Sequence, residues 1–121
     1  MNVLVADDSG VIRKIIVRAL NSLGVKDVVE AVDGDDAVAK FAGAKFDLVL
    51  TDWNMPGKSG LEVLQTIRGS GSQVPVIMVT TEAEKTRVLE AIQAGVSDYL
   101  TKPFEAADLQ AKIDKFVSCN A

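Results

Sequence analysis

The chain has 121 residues, of which 48% are hydrophobic and 25% charged, a composition typical of one globular domain with a buried core. Its formal net charge of −4 argues against a nucleic-acid-binding protein, and its single cysteine, Cys119, excludes an internal disulfide and a thiolate metal site. The apolar run Val3-Leu4-Val5-Ala6 begins almost at once, which leaves too few residues before it for a signal peptide or a membrane span. We therefore expect a cytoplasmic protein without membrane or nucleic-acid partners.

Five short apolar segments rich in β-branched residues alternate with five segments in which apolar residues recur at helical spacing. Gly24, Gly43 and Gly95 follow the first, second and fourth helical segments, as helix-ending glycines do. The third helical segment runs into the flexible stretch 69–72. The predicted strands are residues 2–6, 27–32, 46–51, 74–80 and 97–101.

This alternation of strands and helices predicts a doubly wound α/β fold, in which five parallel strands carry five helices on both faces of the sheet. Right-handed crossovers leave few topologies, and strand order 2-1-3-4-5 is one of the two common ones. With no linker, repeat or low-complexity segment, we expect residues 1–121 to form a single domain without an output domain.

Acidic residues end the first and third predicted strands. Asp52 follows the third strand and opens a loop that contains Pro56 and Gly57, while Asp7 and Asp8 follow the first strand. In the order 2-1-3-4-5 these strands are neighbours, about 4.8 Å apart. Like charges near 4 Å repel by about 4 kcal/mol, so the acids predict a divalent cation held by oxygen ligands, Mg²⁺ or Mn²⁺.

Simpler explanations exist for each acid. Asp52 could be a strand-end acid that only meets solvent, and Asp8 or Ser9 could serve as the N-cap of the first helix. One of the two could cap the helix while the other acids bind metal.

Strands four and five end in further polar residues. Thr80 ends strand four, and Lys102 stands before Pro103 at the end of strand five. Singly, such a threonine is usually a β-former and such a lysine part of a turn. Together with the acids they predict a site that handles phosphate with a divalent ion, with Asp52 as the nucleophile.

These strand-end residues are part of a longer ordered pattern, in which each motif is weak and the set is strong. The pattern consists of Asp7-Asp8, the run Asp52-Trp53-Asn54-Met55-Pro56-Gly57, Thr80, Tyr99 and Lys102-Pro103-Phe104. Over essentially its whole length the chain resembles the receiver domains of response regulators, and most closely the stand-alone chemotaxis regulators of the CheY type. The resemblance also favours strand order 2-1-3-4-5.

The resemblance implies a phosphoryl switch in a two-component system. A sensor histidine kinase would supply the phosphoryl group to Asp52, and Mg²⁺ would be held by Asp7, Asp8, Asp52 and the backbone carbonyl of Asn54. Lys102 would contact phosphate, and the Lys102–Pro103 peptide bond would be cis. The protein would carry out only its own phosphorylation and dephosphorylation and would not act as an enzyme on other substrates.

The resemblance also implies how the signal leaves the site. Thr80 would move toward the phosphoryl group and Tyr99 would turn inward, while Asn54 and Glu82 would tune hydrolysis of the aspartyl phosphate. Helix four, strand five and helix five would bind a partner such as the flagellar motor switch, with the protein as a monomer and a phosphatase as a further candidate partner.

Three other functions fit parts of the sequence. A phosphorelay intermediate or phosphate sink would share the fold and the site. A haloacid-dehalogenase-like phosphatase would need an Asp-x-Asp pattern after strand one, which Asp7-Asp8-Ser9 lacks. An FMN-binding flavodoxin would need a hydroxyl- and glycine-rich loop there, and Asp7 and Asp8 would repel its phosphate.

Overall fold

Five strands alternate with five helices in the computed structural model, which describes residues 1–81 and 84–119, with side chains to residue 116. The strands are β1 (Asn2–Ala6), β2 (Asp27–Ala31), β3 (Leu48–Thr51), β4 (Val76–Thr80) and β5 (Asp98–Thr101). The helices are α1 (Gly10–Ser22), α2 (Gly34–Ala42), α3 (Gly60–Gly69), α4 (Lys85–Gln93) and α5 (Ala106–Cys119).

β1 has the predicted bounds, and the other four strands are shorter than the sequence pattern predicted. β3 begins two residues later than expected because Asp47 turns to the chain start, where its carboxylate accepts the N–H of Asn2 at 2.8 Å. β4 begins after Pro75, which has no N–H to donate to a neighbouring strand. β2 ends one residue earlier, and β5 begins one residue later, than predicted.

All four strand pairings are parallel, and the order β2-β1-β3-β4-β5 confirms the predicted doubly wound sheet. In the register of the sheet, Ala6 lies opposite both Ala31 and Thr51, and Thr80 lies opposite Thr101. The carboxyl ends of β1, β3, β4 and β5 therefore meet along one edge of the sheet.

Helices cover both faces of the sheet, as predicted, because strand residues point alternately to either side. Val3 and Val5 of β1 pack with the buried residues of α1 and α5. Leu4 and Ala6 pack on the other face, with those of α2, α3 and α4. The fully buried rows on both faces make a rigid platform for the residues that follow the strand ends.

The first helix settles which residue serves as its N-cap. The hydroxyl of Ser9 accepts the N–H of Ile12 at 3.3 Å, so Ser9 is the N-cap. The carboxylate of Asp8 therefore does not cap the helix and lies with the other acids at the edge of the sheet. Beyond the other end of α1, Gly24 adopts φ +88°, which confirms the predicted glycine stop.

Candidate functional site

The register of β1 and β3 places Asp7 beside Asp52. Ala6 lies opposite Thr51, and the N–H of Asp52 donates to the carbonyl of Ala6 at 2.9 Å. Asp7 continues the alternation of Val3 and Val5, so its side chain leaves the backbone on the α1/α5 side of the sheet. Both carboxyl-bearing residues are buried, with 1% of Asp7 and 7% of Asp52 exposed.

Lys102 joins the two acids. Its Nζ donates to Oδ2 of Asp7 at 2.7 Å and to Oδ2 of Asp52 at 3.0 Å. Its backbone N–H donates to the carbonyl of Thr80 at 2.7 Å, which fixes the end of β5 against β4. The Lys102–Pro103 peptide bond is cis, as the resemblance implied. The predicted meeting of Asp7, Asp52 and Lys102 at one edge is therefore confirmed.

Asp8 completes a group of three carboxylates. One oxygen from each of Asp7, Asp8 and Asp52 lies within 4.8 Å of the others, and Asp8 is exposed where the other two are buried. An all-oxygen, anionic donor set open to solvent on one side fits a hard divalent ion such as Mg²⁺ or Mn²⁺.

Burial and hydrogen bonding set the electrostatics of the site. Burial raises the pKa of Asp7, although the Lys102 ammonium and the N–H of Ser9, which donates to Oδ1 at 2.9 Å, oppose that rise. Burial alone would lower the pKa of Lys102, but its hydrogen bonds to Asp7 and Asp52 outweigh burial and raise it. Lys102 is therefore a permanent cation beside two acids.

The loop after β3 is held close to Asp52. The N–H of Asn54 donates to Oδ1 of Asp52 at 3.3 Å, and the N–H of Gly60 donates to the carbonyl of Trp53 at 2.8 Å. A Cβ at position 60 would overlap the carbonyl of Asp52, so only glycine lets α3 begin so near the strand end. The side chain of Asn54 is exposed, at the mouth of the site.

The predicted switch residues lie on β4 and β5. Thr80 is fully buried at the end of β4, and Tyr99 is half-buried on β5, opposite Met78, and packs against the hydrophobic cluster on the α2/α3/α4 face. Their roles in switching stay predictions. Glu82, the predicted hydrolysis-tuning residue, lies outside the described residues.

Two arginines near the site were missed by sequence reasoning. Arg13 donates to the carbonyl of Asp7 at 2.6 Å, and the guanidinium carbon of Arg87 on α4 lies 5.5 Å from the centre of the Trp53 ring. One signal pointed to Arg13: it is a cation in the first turn of a helix, where the helix dipole disfavours positive charge.

A family model for the response regulator receiver domain matches residues 3–114. The chain belongs to this family. It is therefore a signalling receiver domain of the two-component type, and the receiver resemblance and fold predicted from its sequence are both confirmed.

Relatives and solved structures agree with this family. The chain is 43% identical to chemotaxis protein CheY-3 of Vibrio cholerae over 95% of its length and 90% of the relative. It is 42% identical to chemotaxis protein CheY of Pseudomonas aeruginosa over 95% of its length and 94% of the relative. These relatives place the chain among CheY-like regulators and favour a receiver over a phosphatase of the haloacid-dehalogenase type or a flavodoxin.

Two solved structures share the whole architecture. The receiver domain of Francisella response regulator 1452 superposes with a TM-score of 0.90 at 29% identity, covering 99% of this chain and 98% of its own. Chemotaxis response regulator CheY4 of Vibrio cholerae gives 0.87 at 32% identity, with 95% and 97% covered. Within the described residues, no helix combines the length and apolar character needed to cross a membrane.

Proposed function

We propose that this receiver takes a phosphoryl group from a sensor histidine kinase onto Asp52, with Mg²⁺ bound beside it, and signals through α4, β5 and α5. The observation that carries the proposal is the Lys102 ammonium held within 3.0 Å of both Asp7 and Asp52. A cation fixed between two buried acids can stabilise the charge that collects on a phosphoryl group during transfer.

The transfer itself needs one bond formed and one broken. A carboxylate oxygen of Asp52 attacks the phosphorus of the donor's phosphohistidine, and the P–N bond breaks with its electron pair left on the imidazole nitrogen. Lys102 stays protonated and balances the charge on the phosphoryl oxygens. The product is an acyl phosphate on Asp52 and a free histidine on the kinase.

Four ligands are proposed for the metal: the carboxylates of Asp7, Asp8 and Asp52, and the backbone carbonyl of Asn54. The three clustered carboxylates and the hydrogen bond from Asn54 N–H to Asp52 support this set. Bound there, Mg²⁺, or Mn²⁺ in its place, would supply positive charge to the phosphoryl oxygens.

Thr80 and Tyr99 are proposed to carry the signal away from Asp52. Phosphorylation adds about −1.5 to −2 charges and three strong acceptors, so the conformation in which Thr80 and Lys102 contact them becomes favoured. Thr80 ends β4, the strand paired with β5, and Tyr99 lies on β5 itself. α4 exposes Leu89 and Ile92, apolar side chains that a protein partner could cover.

The names of the two relatives support a chemotaxis role. We propose the flagellar motor switch as the partner and the cytoplasm as the location. One receiver-domain model matches residues 3–114, which supports residues 1–121 as a single receiver domain. We propose that Asn54 and Glu82 tune the lifetime of the phosphoryl group, with or without a phosphatase partner.

The phosphorylation site is tested with a small phosphodonor such as acetyl phosphate. Wild type with Mg²⁺ should gain a base-labile, acid-stable label, and Asp52→Asn should lose it while keeping the fold. Asp47→Asn is the matched control, because Asp47 is an exposed acid at the opposite end of β3. A label retained by Asp52→Asn would overturn the assignment.

The destination of the phosphoryl group is tested separately. If the protein drives a motor, the phosphorylated form should bind a flagellar-switch peptide more tightly than the resting form does. Rapid return of the group to a histidine phosphotransfer domain, without tighter peptide binding, would instead establish a phosphorelay intermediate or a phosphate sink.

A further inference from the structure

Both backbone polar groups of Asp7, its N–H and its carbonyl, are hydrogen-bonded where the chain leaves the sheet. Its N–H donates to the carbonyl of Ala31 at 3.2 Å, which extends the β1–β2 pairing by one residue. Its carbonyl accepts Nη1 of Arg13 at 2.6 Å. A carbonyl that emerges from a strand end needs such a partner, and here a charged side chain supplies it.

Arg13 is itself anchored to the neighbouring strand. Its Nε donates to Oε1 of Glu30 at 3.1 Å, and Glu30 on β2 directly precedes Ala31, the residue that accepts the N–H of Asp7. The arginine therefore links α1, β2 and the turn between β1 and α1. With 17% of its side chain exposed, it is largely packed into this position, whereas Glu30 is 47% exposed.

The helix dipole opposes this arrangement. Arg13 lies in the first turn of α1, where its N–H donates to the carbonyl of the cap Ser9 and where the helix itself has no acidic residue. A cation near a helix N-terminus is disfavoured by the partial positive charge of the helix dipole there. The hydrogen bonds to Asp7 and Glu30 are the contacts that hold it there.

We propose that Arg13 is a positioning residue for the metal ligands Asp7 and Asp8, with Glu30 holding Arg13 in place. The proposal rests on the metal site proposed above. Asp8 follows the bound carbonyl directly, so the peptide plane that Arg13 fixes also sets where the exposed Asp8 carboxylate leaves the backbone. Without the hydrogen bond from Arg13 this peptide would be less constrained, and the carboxylates of the cluster would move apart.

Arg13 could affect Mg²⁺ affinity through its charge or by positioning Asp7, and the two roles predict opposite changes when Arg13 is replaced. Arg13 is a cation near an acidic cluster, so removing its charge alone should tighten Mg²⁺ binding. Removing its hold on Asp7 should weaken Mg²⁺ binding, because residues that orient ligands typically contribute about 10–100-fold to metal affinity. The direction of the change in Mg²⁺ affinity therefore distinguishes the electrostatic role from the positioning role.

The experiment is a Mg²⁺ titration of Arg13→Met, followed by Trp53 fluorescence and by calorimetry. We expect roughly tenfold weaker binding than wild type, with Arg13→Lys recovering part of the loss because it retains the charge and a donor. Lys14→Met is the matched control: it removes a neighbouring exposed cation from the same helix and should leave the affinity unchanged or slightly raised. Urea unfolding without metal establishes that each variant is folded.

A second variant tests the role of Glu30. If Glu30 acts through Arg13, Glu30→Gln should weaken Mg²⁺ binding less than Arg13→Met does, and the double variant should be no weaker than Arg13→Met alone. Unchanged or tighter binding by folded Arg13→Met would overturn the positioning role and leave the metal site standing. No Mg²⁺ binding by wild type would overturn both.

Discussion

Lys102 bridges Asp7 and Asp52, with its Nζ 3.0 Å from Oδ2 of Asp52 and 2.7 Å from Oδ2 of Asp7. One protein cation thus contacts two buried acids. A divalent ion at the proposed site would draw on the same carboxylates, so lysine and metal share one anionic cluster. The Lys102 ammonium is therefore a counter-ion that the chain itself supplies to both carboxyl groups.

Replacing Lys102 should therefore lower the stability of the fold in metal-free buffer and make that stability depend on Mg²⁺. Without metal, Lys102→Met leaves two buried carboxylates facing each other, and the free energy of unfolding should fall by about 3 kcal/mol, the usual cost of removing one partner of a buried ion pair. Mg²⁺ should restore much of that loss. Urea unfolding with and without Mg²⁺ measures both effects.

The matched control for Lys102 is Lys45→Met, an exposed lysine just before β3 at the other edge of the sheet. Its unfolding curve should follow wild type with and without metal. Equal stability of Lys102→Met and wild type in metal-free buffer would contradict the role of Lys102 as the internal counter-ion.

The sheet and the acid cluster could be predicted from the sequence because both depend on local signals. Apolar β-branched runs mark the strands, and a polar residue at the end of such a run is carried to the edge of a parallel sheet. Asp7, Asp52 and Lys102 each follow such a run, so their meeting required only the strand order. The starts of β3 and β4 were less predictable, because the first depends on a single hydrogen bond from Asn2 to Asp47 and the second on the missing N–H of Pro75.

The arginine contacts could not be predicted in the same way. A long side chain reaches its partner only after helices and strands have packed: Arg13 reaches back six residues to Asp7 and forward seventeen to Glu30. Arg87 meets Trp53 only because α4 lies over the start of the β3–α3 loop. The role of Tyr99 could not be predicted from the sequence either, because a half-buried aromatic residue on β5 has the same sequence signal whether it moves on activation or only packs.

Trp53 should report metal binding at the acid cluster. It is the only tryptophan, follows Asp52 directly and is almost completely buried beneath Arg87. Mg²⁺ binding at Asp52 should change the environment of this ring and hence its fluorescence, with saturation in the millimolar range expected of weak oxygen sites. Asp8→Asn removes one proposed ligand and should shift the midpoint at least about tenfold upward.

Asp47→Asn serves here as a charge-matched control, because it removes an exposed acid from the far end of β3. Its titration midpoint should equal that of wild type. Trp53 fluorescence that stays flat through the millimolar range, or an identical midpoint for Asp8→Asn, would count against the proposed metal site.

Thr80→Ala should separate phosphorylation from switching. Thr80 is buried at the end of β4, next to the strand that carries Tyr99, so loss of its hydroxyl should leave transfer to Asp52 intact. Amide chemical shifts measured with acetyl phosphate and Mg²⁺ should still change around Asp52. The changes in α4 and β5 should shrink, because the hydroxyl contact that favours the active conformation is lost.

Thr101→Ala is the natural comparison for Thr80. Thr101 lies opposite Thr80 in the β4–β5 register but is exposed, so its loss should leave the full pattern of shifts. Wild-type shift changes in α4 and β5 of phosphorylated Thr80→Ala would show that the signal does not run through this hydroxyl.

Asp98 should make the fold sensitive to acid at the β5–α5 contact. Its Oδ1 accepts Nζ of Lys112 and the N–H of Tyr99, both at 2.8 Å, and Lys115 lies 3.6 Å from Oδ2. Burial alone would raise the pKa of Asp98, but these hydrogen bonds and the two lysines lower it below the ordinary value of 3.8. Ionised Asp98 therefore stabilises the folded state.

The direction of the pH dependence follows from that lowered pKa. The stabilisation by Asp98 is fully present above pH 3.8, its ordinary value, and is lost as pH falls through the lower pKa of the folded state. Asp98→Asn should reduce the free energy of unfolding by about 1 kcal/mol at neutral pH. Urea unfolding across the acid range should show this deficit shrinking once pH drops below the ordinary value.

Asp27→Asn provides the comparison for Asp98, because Asp27 is also the first residue of a strand but is exposed. Its unfolding free energy should match that of wild type at neutral pH. The same deficit for Asp98→Asn at neutral and at strongly acidic pH would mean that packing, and not the charge of Asp98 facing Lys112 and Lys115, accounts for the loss. A deficit that closes on acidification would assign the stabilisation to the ionised carboxylate.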